Sequence, residues 1–404
     1  MIKAVLLDLD DTLLGNPPDT FTTSYLGALD AFLCEYLDWD GAPEALLRAT
    51  YFLGQSRDPL RTNVDTFYDT LEPLLPVEIG RAVFDEALDA FYAAAYPRLE
   101  AITQRRPAAR ELVEWLVARE YIVVVATSPY FPREAVLQRM AWAGVPLDEV
   151  PFRLVTTLEN MHYTKPHMQY YEEILARIGV QADEAVMVGD DWSNDIVPAW
   201  CAGLNTFWIT NDGASSPAAS DAQPDGAGSL AEFLALVREE NWLDALTPRP
   251  LDPAQILPRL EGNLAALLGI VDEVAPEKWT MRPDSQEWSP VEVVCHLHES
   301  ERDVQRPRLQ TIVDEDNPFL SQPKAPPAPA ARVCPCCGRA LGQRFGEERL
   351  KTIAYLAGLP PEAWTRPARH YIFGPTTLLE MANFTAQHDR LHMAQLCQTV
   401  AHCE

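Results

Sequence analysis

Hydrophobic residues in the first half of the chain alternate between short continuous runs and helically spaced stretches. The continuous runs, which are rich in Leu, Val and Ile, occupy 4–8, 121–129, 184–191 and 206–210. Stretches with apolar residues at helical spacing lie between them, for example 108–120 and 168–179. Buried strands separated by helices are typical of a parallel sheet with helices on both faces. The pattern therefore predicts an α/β, doubly wound parallel sheet, in which ligands bind beyond the carboxyl ends of the strands.

Two further stretches of the first half have a helical pattern. Residues 16–105 separate the first strand from the second and contain several amphipathic segments. Because this stretch is too long for a single crossover connection, we predict that it forms a helical cap inserted into the sheet domain. Residues 230–243 predict a helix that closes this domain.

The second half of the chain has a helical pattern throughout. The predicted helices are 254–274, about 289–315, about 344–358 and 376–400. Four helices of this length favour an all-α four-helix bundle. The connection at about 316–343 is long and rich in Pro and Ala, so we predict an inserted loop without regular structure.

These patterns predict two domains joined by a Pro-containing linker. The first predicted domain spans 1–243, with its core at about 1–15 and 106–243 and its cap at about 16–105. The predicted linker is 244–253, and the predicted bundle is 254–404. A length of 404 residues agrees with more than one domain, since a single hydrophobic core rarely grows that large.

Acidic residues dominate the charge of the chain, whose formal net charge is −27. Nucleic-acid binding needs a basic footprint, so this composition argues against it, whereas it suits a protein that holds cations. No apolar run approaches the roughly 18 residues of a membrane span, and the N-terminus becomes acidic too soon for a signal peptide. We therefore expect a cytoplasmic protein without a membrane partner, with its eight cysteines reduced.

Carboxylates end the first apolar run, in the stretch AVLLDLDDTLLG at residues 4–15. Side chains two residues apart at a strand end point to the same side, so Asp8 and Asp10 should converge at the carboxyl edge of the sheet. Two carboxylates that lie near each other raise each other's pKa unless a cation lies between them. Because carboxylate oxygens suit hard divalent ions, the pattern predicts a magnesium site.

Three other strand ends carry matching polar groups: hydroxyls that can hold a phosphoryl oxygen, a lysine before a proline and a helix, and further carboxylates. These residues are Thr127 and Ser128, Lys165, and Asp190, Asp191 and Asp195. A carboxylate nucleophile, a neighbouring acid and base, a hydroxyl, a lysine and a metal-binding acid form a set suited to phosphoryl transfer.

The segments DLDDT, the Thr after VVVA, the Lys before Pro and GDDWSND resemble, in order and spacing, the four motifs of the haloacid dehalogenase-like (HAD) superfamily. The resemblance implies a Rossmann-like core and phosphoryl chemistry. By this resemblance Asp8 is the nucleophile that forms an aspartyl-phosphate, and Asp10 is the general acid and base. Thr127, Ser128 and Lys165, together with Asp8, bind the phosphoryl group.

The same resemblance implies a magnesium ion in the N-terminal domain. Asp190 would ligate this ion together with Asp8 and the backbone carbonyl of Asp10. Asp195 would support that metal shell or orient Lys165. The dehalogenases of the superfamily lack the second acidic residue, so the presence of Asp10 indicates a phosphatase or a phosphomutase instead.

Within the region of resemblance, roughly 1–243, some residues have less defined roles. Asp191 stands where many relatives have Ser, and its role stays open. The helical cap is expected to cover the site and select the substrate. Tyr25, Arg57 and Arg61 are candidate contacts for a second anionic or polar group, although ordinary roles in helix packing or on the cap surface are favoured for them.

Three histidines of the second half are candidate metal ligands. His388 and His392 are four residues apart, so on a helix both imidazoles lie on one face. His296 lies in an apolar register of another predicted helix and is expected to face the core, whereas His298 is expected to point outward. Two histidines from one helix and one from another can coordinate a divalent metal inside a bundle.

The stretches EWSPVEVVCHLHESE and FGPTTLLEMANFTAQHDRLHMAQL resemble the DinB-like (YfiT-like) four-helix bundles, over roughly 252–400. This resemblance implies that the three histidines bind zinc, nickel or iron, and members of that family include thiol-dependent transferases and isomerases. The alternative is that the histidines are buried structural residues without a metal. Their neighbours Gln387 and Asp389 are expected on the helix surface.

A cysteine motif, CPCCG, lies in the long predicted loop and contains Cys334, Cys336 and Cys337. No second C-x-x-C follows, so the motif lacks ligands for a tetrahedral zinc site. A flexible insertion with exposed thiols is favoured. A reactive or metal-binding loop and an intersubunit contact are the alternatives.

The functional hypothesis from the sequence is a magnesium-dependent phosphatase that hydrolyses a small phosphorylated metabolite, fused to a metal-binding bundle. One alternative makes the bundle the main catalyst, as a metal-dependent thiol S-transferase. A second alternative makes the bundle a non-catalytic module through which the chain forms a homodimer. Phosphomutase chemistry, which would need a bisphosphate activator, is a further alternative for the N-terminal domain.

Overall fold

The chain forms two compact units in a computed structural model, which describes residues 1–210, 221–323 and 338–403. The first unit contains Met1–Tyr170 and Ala182–Arg249, and the second contains Tyr171–Gln181 and Pro250–Glu404. The domain boundaries derived from the sequence stay predictions. No helix within the described residues is long and apolar enough to cross a membrane.

A parallel sheet of six strands forms the centre of the first unit, as far as the described residues show. Its strands are β1 (Ala4–Leu7), β4 (Ile122–Val125), β5 (Leu154–Val155), β6 (Ala185–Gly189), β7 (Asn205–Ile209) and β8 (Gly226–Gly228). Their order is β5-β4-β1-β6-β7-β8, and every neighbouring pair is parallel. Strands β1, β6 and β7 are buried along their whole length, which explains their continuous apolar runs. The predicted doubly wound α/β fold is confirmed.

The two edge strands of this sheet have no counterpart in the sequence-based prediction. Strand β5 contains two residues, and strand β8 consists of Gly226, Ala227 and Gly228. Neither contains the run of branched apolar residues by which a buried strand is recognised. Both are held by pairing with a neighbouring strand whose own pattern is strong.

Helices flank the sheet. They are α5 (Pro107–Ala118), α6 (Arg133–Ala143), α7 (Met168–Ile178), α8 (Val197–Cys201), α9 (Leu230–Glu239) and α10 (Trp242–Ala245). Helix α7 begins in the first unit, and its residues from Tyr171 onward belong to the second. The predicted closing helix at 230–243 is two helices. A capping box formed by Ser229 and Glu232 begins the first of them.

The predicted helical cap is present between β1 and β4. Its helices are α1 (Pro18–Leu37), α2 (Ala42–Gln55), α3 (Asn63–Leu71) and α4 (Arg81–Ala94). The chain enters and leaves the cap through two short antiparallel strands, β2 (Leu14–Gly15) and β3 (Gln104–Arg105). A Cβ atom at Gly15 would lie 2.9 Å from the carbonyl oxygen of Gln104, so this close approach requires glycine.

The second unit is mainly helical, which agrees with the predicted four-helix bundle. Its helices are α11 (Ile256–Glu273), α12 (Pro290–Ser300), α13 (Arg306–Asp314), α14 (Gly338–Ala357) and α15 (Leu378–His402). A π-helical turn, Glu301–Gln305, joins α12 to α13, so the helix predicted at about 289–315 is continuous but locally widened. Buried ion pairs of Glu172 with Arg259 and Arg390 hold residues 171–181 in this unit.

A small sheet in the second unit was not predicted. Its strands are β9 (Phe319–Leu320), β10 (Pro367–His370) and β11 (Gly374–Thr377), in the order β11-β10-β9. Strand β9 and the first turn of α14 occupy the two ends of the loop predicted at about 316–343. The middle of that loop, including Cys334, Cys336 and Cys337, lies outside the described residues.

A buried ion-pair network crosses the bundle. Arg349 is fully buried and donates to both carboxylate oxygens of Asp389, at 2.6 and 3.0 Å, and to Glu301 at 2.8 Å. The hydroxyl of Thr352 donates to Glu301, and the amide of Asn263 donates to Asp389. The expectation that Asp389 lies on the helix surface is therefore wrong, because Arg349 supplies the opposite charge that allows a carboxylate to be buried.

This network predicts a large loss of stability when its cation is removed. Arg349→Met would leave Glu301 and Asp389 buried without a counter-charge, so the free energy of unfolding of the second unit should fall by about 3–5 kcal/mol. Arg302→Met, which breaks the exposed pair with Asp303, is the matched control and should cost less than about 1 kcal/mol. Urea unfolding of the full chain, followed by circular dichroism, measures both. An equal effect of the two variants would contradict the assignment.

Candidate active site

The predicted site residues of the first unit meet at the carboxyl edge of its sheet. Asp8 follows β1, Thr127 follows β4 and Asp190 follows β6, and these three strands are adjacent. They border a cavity of about 170 Å³. The side chains that line it are Asp8, Asp10, Asn16, Phe21, Thr22, Thr127, Ser128, Phe131, Arg139, Lys165, Asp190, Asp191, Asn194 and Asp195.

Lys165 is the cation at the floor of the cavity. Its side chain is almost completely buried, and its Nζ donates to Asp8 Oδ1 at 2.7 Å and to Asp195 Oδ1 at 2.5 Å. Both carboxylates are themselves buried. Burial raises the pKa of Asp8 well above its ordinary range, and the charge of Lys165 opposes that rise. Burial is the larger of the two influences on the pKa of Asp8, so a further positive charge at the site would favour its ionised form.

Three carboxylates, Asp8, Asp190 and Asp195, form a group that could hold a metal ion. Their nearest oxygens lie within 4.8 Å of one another. Burial, followed by the neighbouring charge of Asp195, raises the pKa of Asp190 to about 7. One lysine cannot balance three such charges, so the group has the excess negative charge and the oxygen donors that a hard divalent cation prefers. The residues present fit a magnesium ion.

The backbone of Gly189, the last residue of β6, lies so close to Asp195 that a glycine is required there. A Cβ atom at Gly189 would lie 2.2 Å from Asp195 Oδ2, so no larger residue fits there. Asp195 lies on a π-helical turn, Trp192–Ile196, whose N-terminus is capped by Asp191. The carboxylate of Asp191 accepts bonds from the backbone amides of Ser193 and Asn194 at 2.8 and 3.0 Å. Asp191, whose role the sequence left open, therefore holds the turn that carries Asp195.

Asp10 is held by donors on both of its carboxylate oxygens. Asn16 Nδ2 donates to Oδ1 at 2.6 Å, and Thr127 Oγ1 lies 3.4 Å from Oδ2. The guanidinium of Arg139 forms an ion pair with Oδ2. The side chain of Asp10 is not part of the group formed by Asp8, Asp190 and Asp195.

Sequence reasoning missed Asn16 and Arg139. Asn16 lies at the start of the cap, one residue after β2, and could have been noticed because it follows the first motif closely. Arg139 lies in the middle of α6, among alternating polar and apolar residues that give no sign of a functional position.

Hydrogen bonds to its backbone hold the loop that follows β4 in place. The backbone carbonyl of Thr127 accepts bonds from Thr156 Oγ1 at 2.7 Å and from the Tyr170 hydroxyl at 2.8 Å. Thr127 is buried, and Ser128, which follows it, is half-buried and also borders the cavity. The Thr127 hydroxyl therefore has a defined position beside Asp10.

The cap contributes different residues from those considered in the sequence. Phe21 and Thr22 of α1 border the cavity, whereas Tyr25, Arg57 and Arg61 do not line it. The Tyr25 hydroxyl lies 2.9 Å from that of Tyr92, which is a packing contact inside the cap. Arg61 forms an exposed ion pair with Asp69.

The second unit contains a separate histidine cluster. His296 of α12 and His388 and His392 of α15 present ring nitrogens within 4.8 Å of one another. The Nε2 atoms of His296 and His388 are 3.3 Å apart. Burial, together with the neighbouring charge of His392, lowers the pKa of His388 to about 3. A neutral imidazole is the form that binds a metal, so the cluster fits a divalent transition metal. His298 is not part of it.

A second cavity, of about 550 Å³, borders this cluster. His392 lines it, together with Trp288 and the amide side chains of Gln395 and Gln398. Oε1 of Gln395 accepts a hydrogen bond at 2.8 Å from Nδ1 of His392, which orients that ring.

Comparisons with known proteins cover both units. The model of the haloacid dehalogenase-like hydrolases matches residues 2–203, and the model of the DinB superfamily matches residues 259–396. Among solved structures, a HAD phosphatase from Thermococcus onnurineus is similar at 25% identity, with a TM-score of 0.39, over 59% of this chain and 98% of that chain.

Curated relatives of the N-terminal region have names of phosphatases. The pyrophosphatase PpaX of Bacillus pumilus is 24% identical, over 58% of this chain and 96% of its own length. A ribulose-1,5-bisphosphate 5-phosphatase of Halopiger xanaduensis is 28% identical, over 58% of this chain and 100% of its own length. A phosphoglycolate phosphatase of Rhodospirillum rubrum is 27% identical, over 60% of this chain and 91% of its own length.

The hydrolase model spans half of the chain, and the sheet, the cap and the convergent carboxylates agree with it. The chain therefore belongs to the haloacid dehalogenase-like hydrolases, is similar to their phosphatases, and carries a DinB superfamily domain in its C-terminal part.

Proposed function

We propose that the first unit is a magnesium-dependent phosphatase that hydrolyses a small phosphomonoester through an aspartyl-phosphate on Asp8. The observation that carries the proposal is the buried Lys165, which bonds Asp8 and Asp195 at once and favours the ionised form of the carboxylate nucleophile. Asp10 and Thr127 border the same cavity, where a leaving group and a phosphoryl oxygen would be expected. The curated relatives with phosphatase names support the same reaction class.

In the first step, an oxygen of Asp8 attacks the phosphorus atom of the substrate. The bond between phosphorus and the ester oxygen breaks, and Asp10 gives its proton to the leaving oxygen. Lys165 and the hydroxyls of Thr127 and Ser128 bind the phosphoryl oxygens, whose negative charge they offset. The products of this step are the free alcohol and phosphorylated Asp8.

In the second step, Asp10 is a carboxylate and acts as a base. It takes a proton from a water molecule whose oxygen attacks the phosphorus atom. The bond between phosphorus and Asp8 breaks, so inorganic phosphate leaves and Asp8 returns to its carboxylate form. One residue therefore serves as acid and base in turn, which requires Asp10 to lie beside the phosphorus atom in both steps.

The residues for the metal are Asp8, Asp190 and the backbone carbonyl of Asp10, with Asp195 supporting this shell. A magnesium ion bound there supplies positive charge against the phosphoryl oxygens and against the clustered carboxylates. Thr12 Oγ1 donates to Asp190 at 3.2 Å and so orients that ligand.

The substrate class follows from the size and charge of the cavity. A cavity of about 170 Å³ that contains Lys165 and Arg139 suits a small phosphorylated metabolite. Pyrophosphate, phosphoglycolate and ribulose bisphosphate, after which the curated relatives are named, are all small and carry more than one negative charge. We place this enzyme in the cytoplasm, where such metabolites occur.

We infer that the histidine cluster of the second unit binds zinc, nickel or iron. The specific observation is the convergence of three ring nitrogens beside a cavity that one of the histidines lines. A metal there could activate a small thiol, which gives metal-dependent thiol S-transfer as the second candidate function. A homodimer formed through a non-catalytic bundle is the remaining alternative.

Asp8→Asn should abolish phosphatase turnover, because an amide cannot attack phosphorus. We expect a decrease of about 10³-fold or more in kcat with p-nitrophenyl phosphate, with an unchanged circular dichroism spectrum. Asp148→Asn, which makes the same chemical change at an exposed position, is the matched control and should keep wild-type rates. Near wild-type turnover by the Asp8 variant would rule out the aspartyl-phosphate mechanism.

His388→Ala should remove the transition metal from the second unit, because two imidazoles hold a divalent ion far more weakly than three. Elemental mass spectrometry of the purified full chain should find about one zinc, nickel or iron ion per wild-type chain and almost none in the variant. His298→Ala, on the same bundle but outside the cluster, should keep the metal.

The same variants separate the candidate roles of the bundle. A thiol-transfer activity that disappears with His388→Ala and persists with Asp8→Asn would make the bundle a second catalyst. Absence of metal from the wild-type chain, or its retention in His388→Ala, would contradict the metal site. In that case, measurement of molar mass in solution tests the homodimer.

A further inference from the structure

Arg139 is a fully buried cation beside Asp10, the proposed acid and base, and the mechanism above does not use it. It lies on α6, which begins six residues after Thr127, and its side chain borders the active-site cavity. Its guanidinium packs over the ring of Phe131, with 4.1 Å between the guanidinium carbon and the ring centroid. This stacking and the burial fix the position of the charge.

The hydrogen bonds of Arg139 account for only part of its donors. One terminal nitrogen, Nη1, pairs with Asp10, and Nε lies 3.4 Å from the carbonyl of Ala135 in the same helix. The other terminal nitrogen, Nη2, is buried and has no hydrogen-bond partner within the described part of the chain. A buried N–H group without an acceptor is unfavourable, so an additional acceptor, such as an oxygen of a bound ligand, would satisfy the hydrogen-bonding capacity of Nη2.

The two cations that line the cavity, Lys165 and Arg139, differ in the number of carboxylates that they contact. Lys165 bonds two carboxylates, Asp8 and Asp195, whereas Asp10 is the one carboxylate that pairs with Arg139 among the residues that the structure describes. In the proposed mechanism Asp10 faces the oxygen of the leaving group. A cation held against Asp10 therefore lies next to the expected position of the leaving group.

We propose that Arg139 determines specificity by binding a second anionic group on the leaving group of the substrate. The group would be a carboxylate or a phosphate a few atoms from the ester oxygen, since both accept a bond from a guanidinium. This inference rests on the proposed phosphatase function, because it takes the position of the leaving group from Asp10.

The test compares three phosphate esters of two-carbon alcohols that differ only at the far end: ethyl phosphate, carboxymethyl phosphate and 2-phosphoethyl phosphate. The ratio of kcat/KM for each charged ester to that for ethyl phosphate is measured for the full-length wild type, Arg139→Met and Arg139→Lys, with magnesium. The wild-type ratio should exceed about 10 for at least one charged ester, as expected for a charge-assisted hydrogen bond. The charged ester that is preferred identifies the second group as carboxylate or phosphate.

Arg139→Met should reduce this ratio to about 1–2, and Arg139→Lys, which keeps the charge, should give an intermediate value. Because Arg139 also holds Asp10, turnover of all three esters can fall in both variants, and the ratio removes that common effect. A wild-type ratio near 1, or an unchanged ratio in Arg139→Met, would overturn the inference and leave Arg139 as a positioning residue for Asp10.

Binding measurements separate this inference from the proposed function. Calorimetry of the same esters with Asp8→Asn, alone and combined with Arg139→Met, gives an affinity ratio that needs no turnover. If the wild type hydrolyses no ester but the affinity ratio falls with Arg139→Met, the phosphatase proposal fails and the role of Arg139 stands. If all esters are hydrolysed without preference, the phosphatase proposal stands and the role of Arg139 in specificity fails. If no ester binds, both are overturned.

Discussion

Lys165 connects two buried carboxylates, and the chemistry of the first unit depends on that connection. Asp8 and Asp195 come from parts of the chain that are 187 residues apart, and each would lose its charge on burial if it were alone. The lysine brings them together at 2.7 and 2.5 Å, next to Asp190. A buried cation among three acids favours the ionised form of Asp8 and still leaves the excess negative charge that a divalent ion prefers.

The sequence could predict that these residues lie close together because most of them follow strand ends. A strand of continuous apolar residues has few alternatives to a buried parallel sheet, and the polar residue after it must then lie at the edge. Asp8, Thr127 and Asp190 are all in such positions, and they were found for that reason. Lys165 was found because its motif has a fixed place in the chain order, although no strand precedes it directly.

Residues supplied by helices could not be found in the same way. Arg139 looks like any polar residue of a surface helix, and only the packing of α6 buries it completely beside Asp10. Asp389 was expected on the surface for the same reason, because nothing near it in the sequence indicates Arg349 as its partner. Short strands such as β5 and β9 were missed since pairing with neighbours, rather than their own residues, holds them in place.

The narrow entry to the cap also has a consequence for the acid and base. Only three residues lie between Asp10 and Leu14, where the ribbon with Gln104 and Arg105 begins, and Asp10 itself forms an isolated bridge with Leu14. Asn16, just past the ribbon, donates to the carboxylate of Asp10. The connection to the cap and the proposed acid and base therefore lie in one short segment. Because of this continuity, a substitution in the ribbon should also shift the carboxylate of Asp10.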